Sequence, residues 1–171
     1  MRKVFIFDTS VLCCWLQVPG KATCGPIRDQ WNHQRIEDLV NSNSQNGSTF
    51  VLPIATIIET GNHIAQATGS IHAVAQSLAL KMQMSADAQT PWAAFESQND
   101  LWTPQKLHEL AVSWPALAVQ GIGIGDATIK DVAEYYAKTG SISVEILTGD
   151  EGLKAYEPSQ QIPILTPRRR K

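Results

Sequence analysis

The chain has 171 residues, 43% of them hydrophobic, which is enough for one packed domain and short for two. No apolar run approaches the roughly 18 residues of a membrane helix, and the N-terminal segment lacks a leader-peptide cleavage site, so we expect a cytoplasmic protein. The three cysteines lack disulfide or zinc-ribbon spacing, so we expect them to be reduced thiols. The net charge is −2, but without the last four residues, which are all basic, it is −6, so the body would repel nucleic acid unless metal ions or a basic patch offset its charge.

Short apolar runs predict the strands of a largely parallel sheet. They are rich in β-branched and aromatic residues and lie at 3–7, 50–54, 143–148 and 162–166. Pro163 lacks an amide hydrogen, so the last run should lie at a sheet edge. Segments of helical character lie between the strands, at 26–45, 55–67, 71–89, 104–119 and 126–138. The alternation predicts an α/β layered fold.

Three further segments are predicted to be irregular. Residues 41–49 are rich in Asn, Ser and Gly and predict a loop, and residues 90–104 are bounded by Pro91 and Pro104. The glycine-rich run 121–125 has Asp126 where a dinucleotide-binding loop needs its third glycine. We therefore interpret these glycines as flexible backbone that positions Asp126.

Four acidic residues follow the predicted strands or lie near them. Asp8 follows the first strand, Glu59 lies on the helix after the second, Asp126 follows the glycine run, and Asp150 follows the strand at 143–148. Ligands of open α/β sheets bind at the carboxyl ends of the strands, so these acids should meet there. Their mutual repulsion would favour a hard divalent cation, Mg²⁺ or Mn²⁺. Taken singly, Asp8 and Asp126 could be helix N-caps and Asp150 a turn residue.

The helix that carries Glu59 has a predicted apolar side and a predicted polar side. The apolar side comprises Ile57, Ile58, Gly61, Ile64 and Ala65, and the polar side comprises Glu59, Asn62, His63 and Gln66. A polar stripe of this kind is commonly solvent-facing. The absence of Lys and Arg from it makes His63 a candidate for contact with substrate or metal.

The segments "FIFDTSVL", "PIATIIE", "GDATI" and "ILTGDEGL" resemble, in this order, the four motifs of the PIN-domain nucleases. The resemblance implies a three-layer fold with helices on both faces of a mostly parallel sheet, formed by residues 1–167 and followed by a basic tail, 168–171. It implies a catalytic and metal-binding set of four acids, with hydroxyl residues supporting them. The acids are Asp8, Glu59, Asp126 and Asp150, and the supporting residues are Ser10 and Thr148.

Among PIN proteins, the chain is most similar to the VapC-type toxins, which are small Mg²⁺- or Mn²⁺-dependent endoribonucleases restrained by an antitoxin protein. The resemblance thus implies RNA as substrate, an antitoxin as partner and compatibility with a homodimer. Two features differ from the compact toxins, namely the 67 residues between Glu59 and Asp126 and the basic tail. The tail is interpreted as solvated charge or, alternatively, as Arg168, Arg169 and Arg170 holding RNA phosphates.

Two other functions are compatible with the sequence. In a haloacid-dehalogenase-type phosphatase, Asp8 would be the nucleophile, but Ser10 stands where that family prefers an acid, and the lysine would have to be Lys130 or Lys138. In a non-catalytic PIN-like module that binds RNA or protein, Trp92 and Trp102 could anchor an interface.

Overall fold

The computed structural model describes residues 3–138 and 143–158. In chain order, its strands and α-helices are β1 (Lys3–Phe7), α1 (Thr9–Trp15), β2 (Thr23–Cys24), β3 (Trp31–Asn32), α2 (His33–Gln45), β4 (Thr49–Val51), α3 (Ile54–Gln66), α4 (Ile71–Ala86), α5 (Pro104–Ala118), α6 (Ile124–Lys138), β5 (Ser143–Leu147) and α7 (Glu151–Lys154). Two 3₁₀ segments lie at Ile27–Asp29 and Phe95–Trp102. No helix in these ranges is long and apolar enough to cross a membrane.

Strands β4, β1 and β5 form a parallel sheet in that spatial order, with β1 in the centre. The chain therefore leaves β1 for one edge of the sheet and later crosses to the other edge to form β5. In open α/β sheets, such a reversal opens a crevice at the carboxyl ends of the two strands that flank it. Here these strands are β1 and β5, which are followed by Asp8 and Thr148.

Helices cover both faces of the sheet, as predicted for an α/β fold. On one face, Val4, Ile6 and Ile146 pack against Ile129 and Val132 of α6. On the other face, Phe5 and Phe7 pack in a cluster with residues of α1, α2 and α3. Burial on both faces explains why β1 is a continuous apolar run rather than an alternating one.

Trp92 belongs to the core of the protein. Its ring lies 5.8 Å from that of Phe7 and 6.2 Å from that of Trp15, measured between centroids. Around Trp92 the backbone extends the sheet at β4, because the Phe50 amide donates to Pro91 O and the Ala93 amide donates to Phe50 O. Trp15 is buried as well, whereas Trp102 is 46% exposed. The segment that begins at Pro91 therefore covers part of the edge of the sheet at β4.

Several predicted boundaries were wrong. The second strand ends at Val51, because α3 already begins at Ile54. The segment 26–45 is helical only from His33, after the short hairpin of β2 and β3 that the sequence did not predict. Residues 41–45 are the end of α2 rather than a loop. The predicted strand at 162–166, including Pro163, lies outside the described residues.

The buried face of α3 also differs from the prediction. Its buried residues are Thr56, Thr60 and Ile64, whereas Ile58 is 56% exposed. The Thr56 hydroxyl donates to Phe7 O at 2.7 Å, so this short polar side chain is satisfied at the end of β1. This contact sets α3 against the site described below.

Candidate functional site

Asp8 is the most constrained acid at the carboxyl end of the sheet. Its side chain is buried and accepts a hydrogen bond from the Thr9 amide at Oδ1. At Oδ2 it accepts from the Ser10 hydroxyl at 2.6 Å, the Thr148 hydroxyl at 2.8 Å and the Ser10 amide at 3.3 Å. Asp8 is thus the N-cap of α1, and it also joins the ends of β1 and β5.

The two hydroxyl residues connect Asp8 to the loop after β5. Ser10 Oγ accepts from the Gly149 amide at 2.9 Å, and Thr148 Oγ1 accepts from the Asp150 amide at 2.9 Å. Asp150 caps the short helix α7, accepting at Oδ1 from the amides of Gly152 and Leu153, while its side chain remains exposed. Ser10 and Thr148, which were predicted to support the acids, both donate to the Asp8 carboxylate.

Glu59 approaches the site from the second turn of α3. Its Oε2 accepts a hydrogen bond of 2.9 Å from the Thr9 hydroxyl, which fixes it beside the residue that follows Asp8. Its Oε1 lies against the backbone of Gly125, where a Cβ atom would overlap it. Glycine at this position is therefore what allows α3 and α6 to bring Glu59 beside Asp126.

Asp126 lies in the first turn of α6, which begins two residues earlier than predicted. Burial raises the pKa of Asp126 to about 6, and the charges of Asp8, Glu59 and Asp150 add to this effect. The hydrogen bond that its Oδ2 accepts from the Gly123 amide at 3.3 Å acts in the opposite direction. Asp8, Glu59 and Asp150 therefore lie close enough to Asp126 for their charges to act on it.

Within residues 3–138 and 143–158, no Lys, Arg or His forms an ion pair with any of the four acids. In the same ranges, no group of three or more His, Cys, Asp or Glu side chains is arranged closely enough to hold one metal ion. The acids are thus neighbours in a common electrostatic environment, and side-chain movement would be needed to bring three of them onto one ion.

The lysines required by a phosphatase site have other partners. Lys130 pairs with Glu134 at 2.7 Å, and Lys138 pairs with the same carboxylate at 3.6 Å. Both oxygens of Asp8 already accept hydrogen bonds from the protein. Neither observation favours Asp8 as a nucleophile.

Several residues that shape the site were not predicted. Trp31 is buried and its indole donates to Thr148 O at 3.0 Å, and the Trp114 indole donates to Ile122 O at 3.2 Å, just before Asp126. Thr9 and Gly125 orient Glu59. Thr9 and Gly125 stand beside predicted acids in the sequence, which was the only signal for these contacts. Trp31 and Trp114 reach the site from distant segments, so no sequence pattern indicated them.

The glycine run has a different role from the one expected. Gly121 has a φ of +84°, and the bonds from the Gly121 amide to Ala118 O and from the Ile122 amide to Leu117 O end α5 in a Schellman motif. This glycine thus fixes the turn before Asp126.

His63 is half-buried one turn after Glu59, and Arg168, Arg169 and Arg170 lie outside the described residues.

Comparison with known proteins gives no further assignment. The chain matches no protein-family model, no curated protein and no solved structure at a significant level.

Proposed function

We propose that the chain is a metal-dependent endoribonuclease with a PIN-like fold. Its active site, formed by Asp8, Glu59, Asp126 and Asp150, would hydrolyse RNA phosphodiester bonds. The observation that carries the proposal is the raised pKa of Asp126, to about 6, to which burial and the charges of the other three acids contribute. Acids that repel one another at the switch point of a parallel sheet are typical of a functional site, because their repulsion lowers the stability of the folded protein.

The donor set fits a hard divalent cation. All four acids offer carboxylate oxygens, which Mg²⁺ and Mn²⁺ prefer, and none is paired with a basic side chain in the described part of the chain. Asp8 and Asp126 would be the main ligands, with Glu59 and Asp150 adjusting toward the ion. When bound, such a cation lowers the pKa of a coordinated water and stabilises charge on the leaving oxygen.

The protein's own residues have separate roles in this proposal. Ser10 and Thr148 hold the Asp8 carboxylate by donating to Oδ2, so that Asp8 need not reorient during the reaction. Thr9 holds Oε2 of Glu59, which leaves Oε1 on the side of Asp126. A bound cation would also reverse the local sign of the field for an incoming polyanion.

The biological role proposed with this activity is that of a VapC-type toxin, restrained by an antitoxin protein and compatible with a homodimer. Its support is the order of the four motifs in the sequence. A non-catalytic module that binds RNA or protein is the remaining alternative, and Trp102 is the exposed tryptophan that such a module could use.

The test is cleavage of a fluorescent RNA with Mn²⁺ or Mg²⁺ by the wild type, Asp8→Asn, Asp126→Asn and the control Asp100→Asn, whose residue is exposed in the second 3₁₀ segment. We expect the first two variants to lose roughly 100-fold or more of the rate, and the control to retain it. Equal cleavage by all four proteins would refute the proposal, because it would point to a contaminating nuclease.

A further inference from the structure

Two cysteines contact each other beside the candidate site. Cys14 is buried in α1, and Cys24 is half-buried in β2, which packs against α1. Each thiol shifts the pKa of the other, so the two sulfurs lie within interaction distance. Both are free, so the pair is in the dithiol form.

Cys24 lies near the residues that hold Asp8. It lines the same surface depression as Ser10, whose hydroxyl bonds Asp8 and the Gly149 amide. It also lies directly against Gly149, since a Cβ atom at that glycine would be 2.9 Å from Cys24 Sγ. A change at Cys24 would therefore reach the loop between Thr148 and Asp150.

Cys24 can be reached from outside the protein. It lines an open surface depression of about 580 Å³ together with Ser10, Gly25, Pro26, Gly149, Asp150 and Glu151. Cys14 is buried, so Cys24 is the thiol of the pair that a reagent meets first. This arrangement resembles an attacking thiol in front of a resolving thiol.

We propose that Cys14 and Cys24 form a reversible disulfide on reaction with a small-molecule disulfide such as oxidised glutathione. The Cys24 thiolate attacks one glutathione sulfur, which gives a mixed disulfide and releases one glutathione thiolate. The Cys14 thiolate then attacks Cys24 Sγ, which closes the protein disulfide and releases the second glutathione. The two protein thiols lose two electrons and two protons, and the glutathione disulfide gains them.

The surroundings of the three cysteines favour this pairing. The neighbouring Cys14 thiol lowers the pKa of Cys24, which increases its thiolate fraction, whereas Cys24 and burial raise the pKa of Cys14. Burial raises the pKa of Cys13 to about 11, which disfavours the thiolate that disulfide exchange needs. Cys13 therefore serves as the matched control.

Disulfide formation would change the candidate site. An S–S bond is about 2.05 Å long, much shorter than the contact between two thiols, so Cys24 would move toward Cys14 and its contact with Gly149 would change. Any effect on RNA cleavage rests on the proposed function. The displacement itself does not, because it concerns only the contact between Cys24 and the Thr148–Asp150 loop.

The experiment equilibrates the full chain with glutathione buffers of increasing oxidised fraction, blocks the remaining thiols with N-ethylmaleimide and counts them by mass spectrometry. We expect wild type and Cys13→Ser each to lose two thiols in the monomeric, folded protein. In Cys13→Ser, peptide mapping should find Cys14 joined to Cys24, and no internal disulfide should form in Cys14→Ser. The proposal is overturned if Cys13→Ser retains both thiols at every ratio, or if Cys14→Ser still forms an internal bond.

A second measurement tests the link to the site without any cleavage assay. In ¹H–¹⁵N spectra of Cys13→Ser, oxidation should shift the amide signals of Gly149 and Asp150, and reduction should restore them. An internal disulfide that leaves both signals unchanged would contradict the proposed connection. Loss of cleavage by Asp8→Asn has no bearing on either result, so the two proposals can fail independently.

Discussion

Replacement of Asp126 by Asn should stabilise the metal-free protein at neutral and alkaline pH. Burial and the charges of Asp8, Glu59 and Asp150 raise the pKa of Asp126 from 3.8 to about 6, so its ionised form is disfavoured in the folded chain. Asn has nearly the same shape, carries no charge and retains an oxygen that can accept from the Gly123 amide. The variant thus removes the repulsion and retains the local hydrogen bond.

The magnitude follows from the difference between the two pKa values. A shift from 3.8 to about 6 corresponds to at most about 3 kcal/mol, at 1.36 kcal/mol for each pKa unit. Because Asp126 is only half-buried, solvent screening reduces the expected gain to about 1 kcal/mol. For a chain of 171 residues, this corresponds to a rise in Tm of roughly 2–4 °C.

The sign of the pH dependence is fixed by the direction of the shift. Since the pKa of Asp126 is higher in the folded state, that state binds more protons than the unfolded chain between about pH 4 and pH 6. The wild type therefore loses stability as the pH rises through this range, and the loss is complete above about pH 6. Asp126→Asn avoids the loss, so its advantage should be absent near pH 3.5 and full at pH 8.

The assay is thermal unfolding followed by circular dichroism in EDTA, at pH 3.5 and pH 8, with Asp100→Asn as the control. In a second series of measurements, added Mn²⁺ should stabilise the wild type more than Asp126→Asn, because the variant lacks one of the proposed ligands. If Asp126→Asn is no more stable than the wild type at pH 8, or if its advantage is equal at both pH values, the electrostatic interpretation of the site is wrong.

Two other substitutions test the remaining contacts. Asp8→Asn should destabilise the protein by about 1–3 kcal/mol, because an amide group would face the hydroxyls of Ser10 or Thr148; an unchanged urea midpoint would contradict this. Gly125→Ala should displace Glu59 and lower Mn²⁺-dependent RNA cleavage at least ~10-fold, because the added Cβ overlaps Oε1. The matched Gly61→Ala, with no atom closer than 4.0 Å to the new Cβ, should retain cleavage and gain about 0.5–1 kcal/mol. Equal activity of the two alanine variants would show that Glu59 tolerates displacement.

Predictions from the sequence were most accurate where a residue follows a buried strand directly. The runs at 3–7 and 143–148 are strands, the second ending at Leu147, and Asp8 and Thr148 follow them because parallel strands end at the same edge of the sheet. Ser10 was identified through the resemblance of its segment to a PIN-domain motif, and both bonds of its hydroxyl lie within that edge. Local patterns were sufficient for the strands.

Errors arose where tertiary contacts or side-chain bonds override composition. The Asn- and Ser-rich residues after Val40 continue α2, because Ser42, Asn43 and Ser44 donate to carbonyl groups three or four residues earlier. The two-residue strands of the hairpin at Cys24 and Trp31 are too short to show any periodicity. Trp31 nevertheless fixes Thr148, and no local signal in the sequence indicates that contact.

The structural and functional interpretations of the acids are compatible. Asp8 and Asp150 do cap helices, and the backbone amides that they bond stabilise negative charge at those two positions. Asp126 receives one weaker bond of this kind from the described residues, the 3.3 Å contact with the Gly123 amide. The charges of the other three acids therefore add to the rise in the pKa of Asp126. A cation bound beside Asp126 would offset this repulsion. The substitution of Asp126, rather than one at a capping acid, therefore separates the free-energy cost of the site from its proposed use.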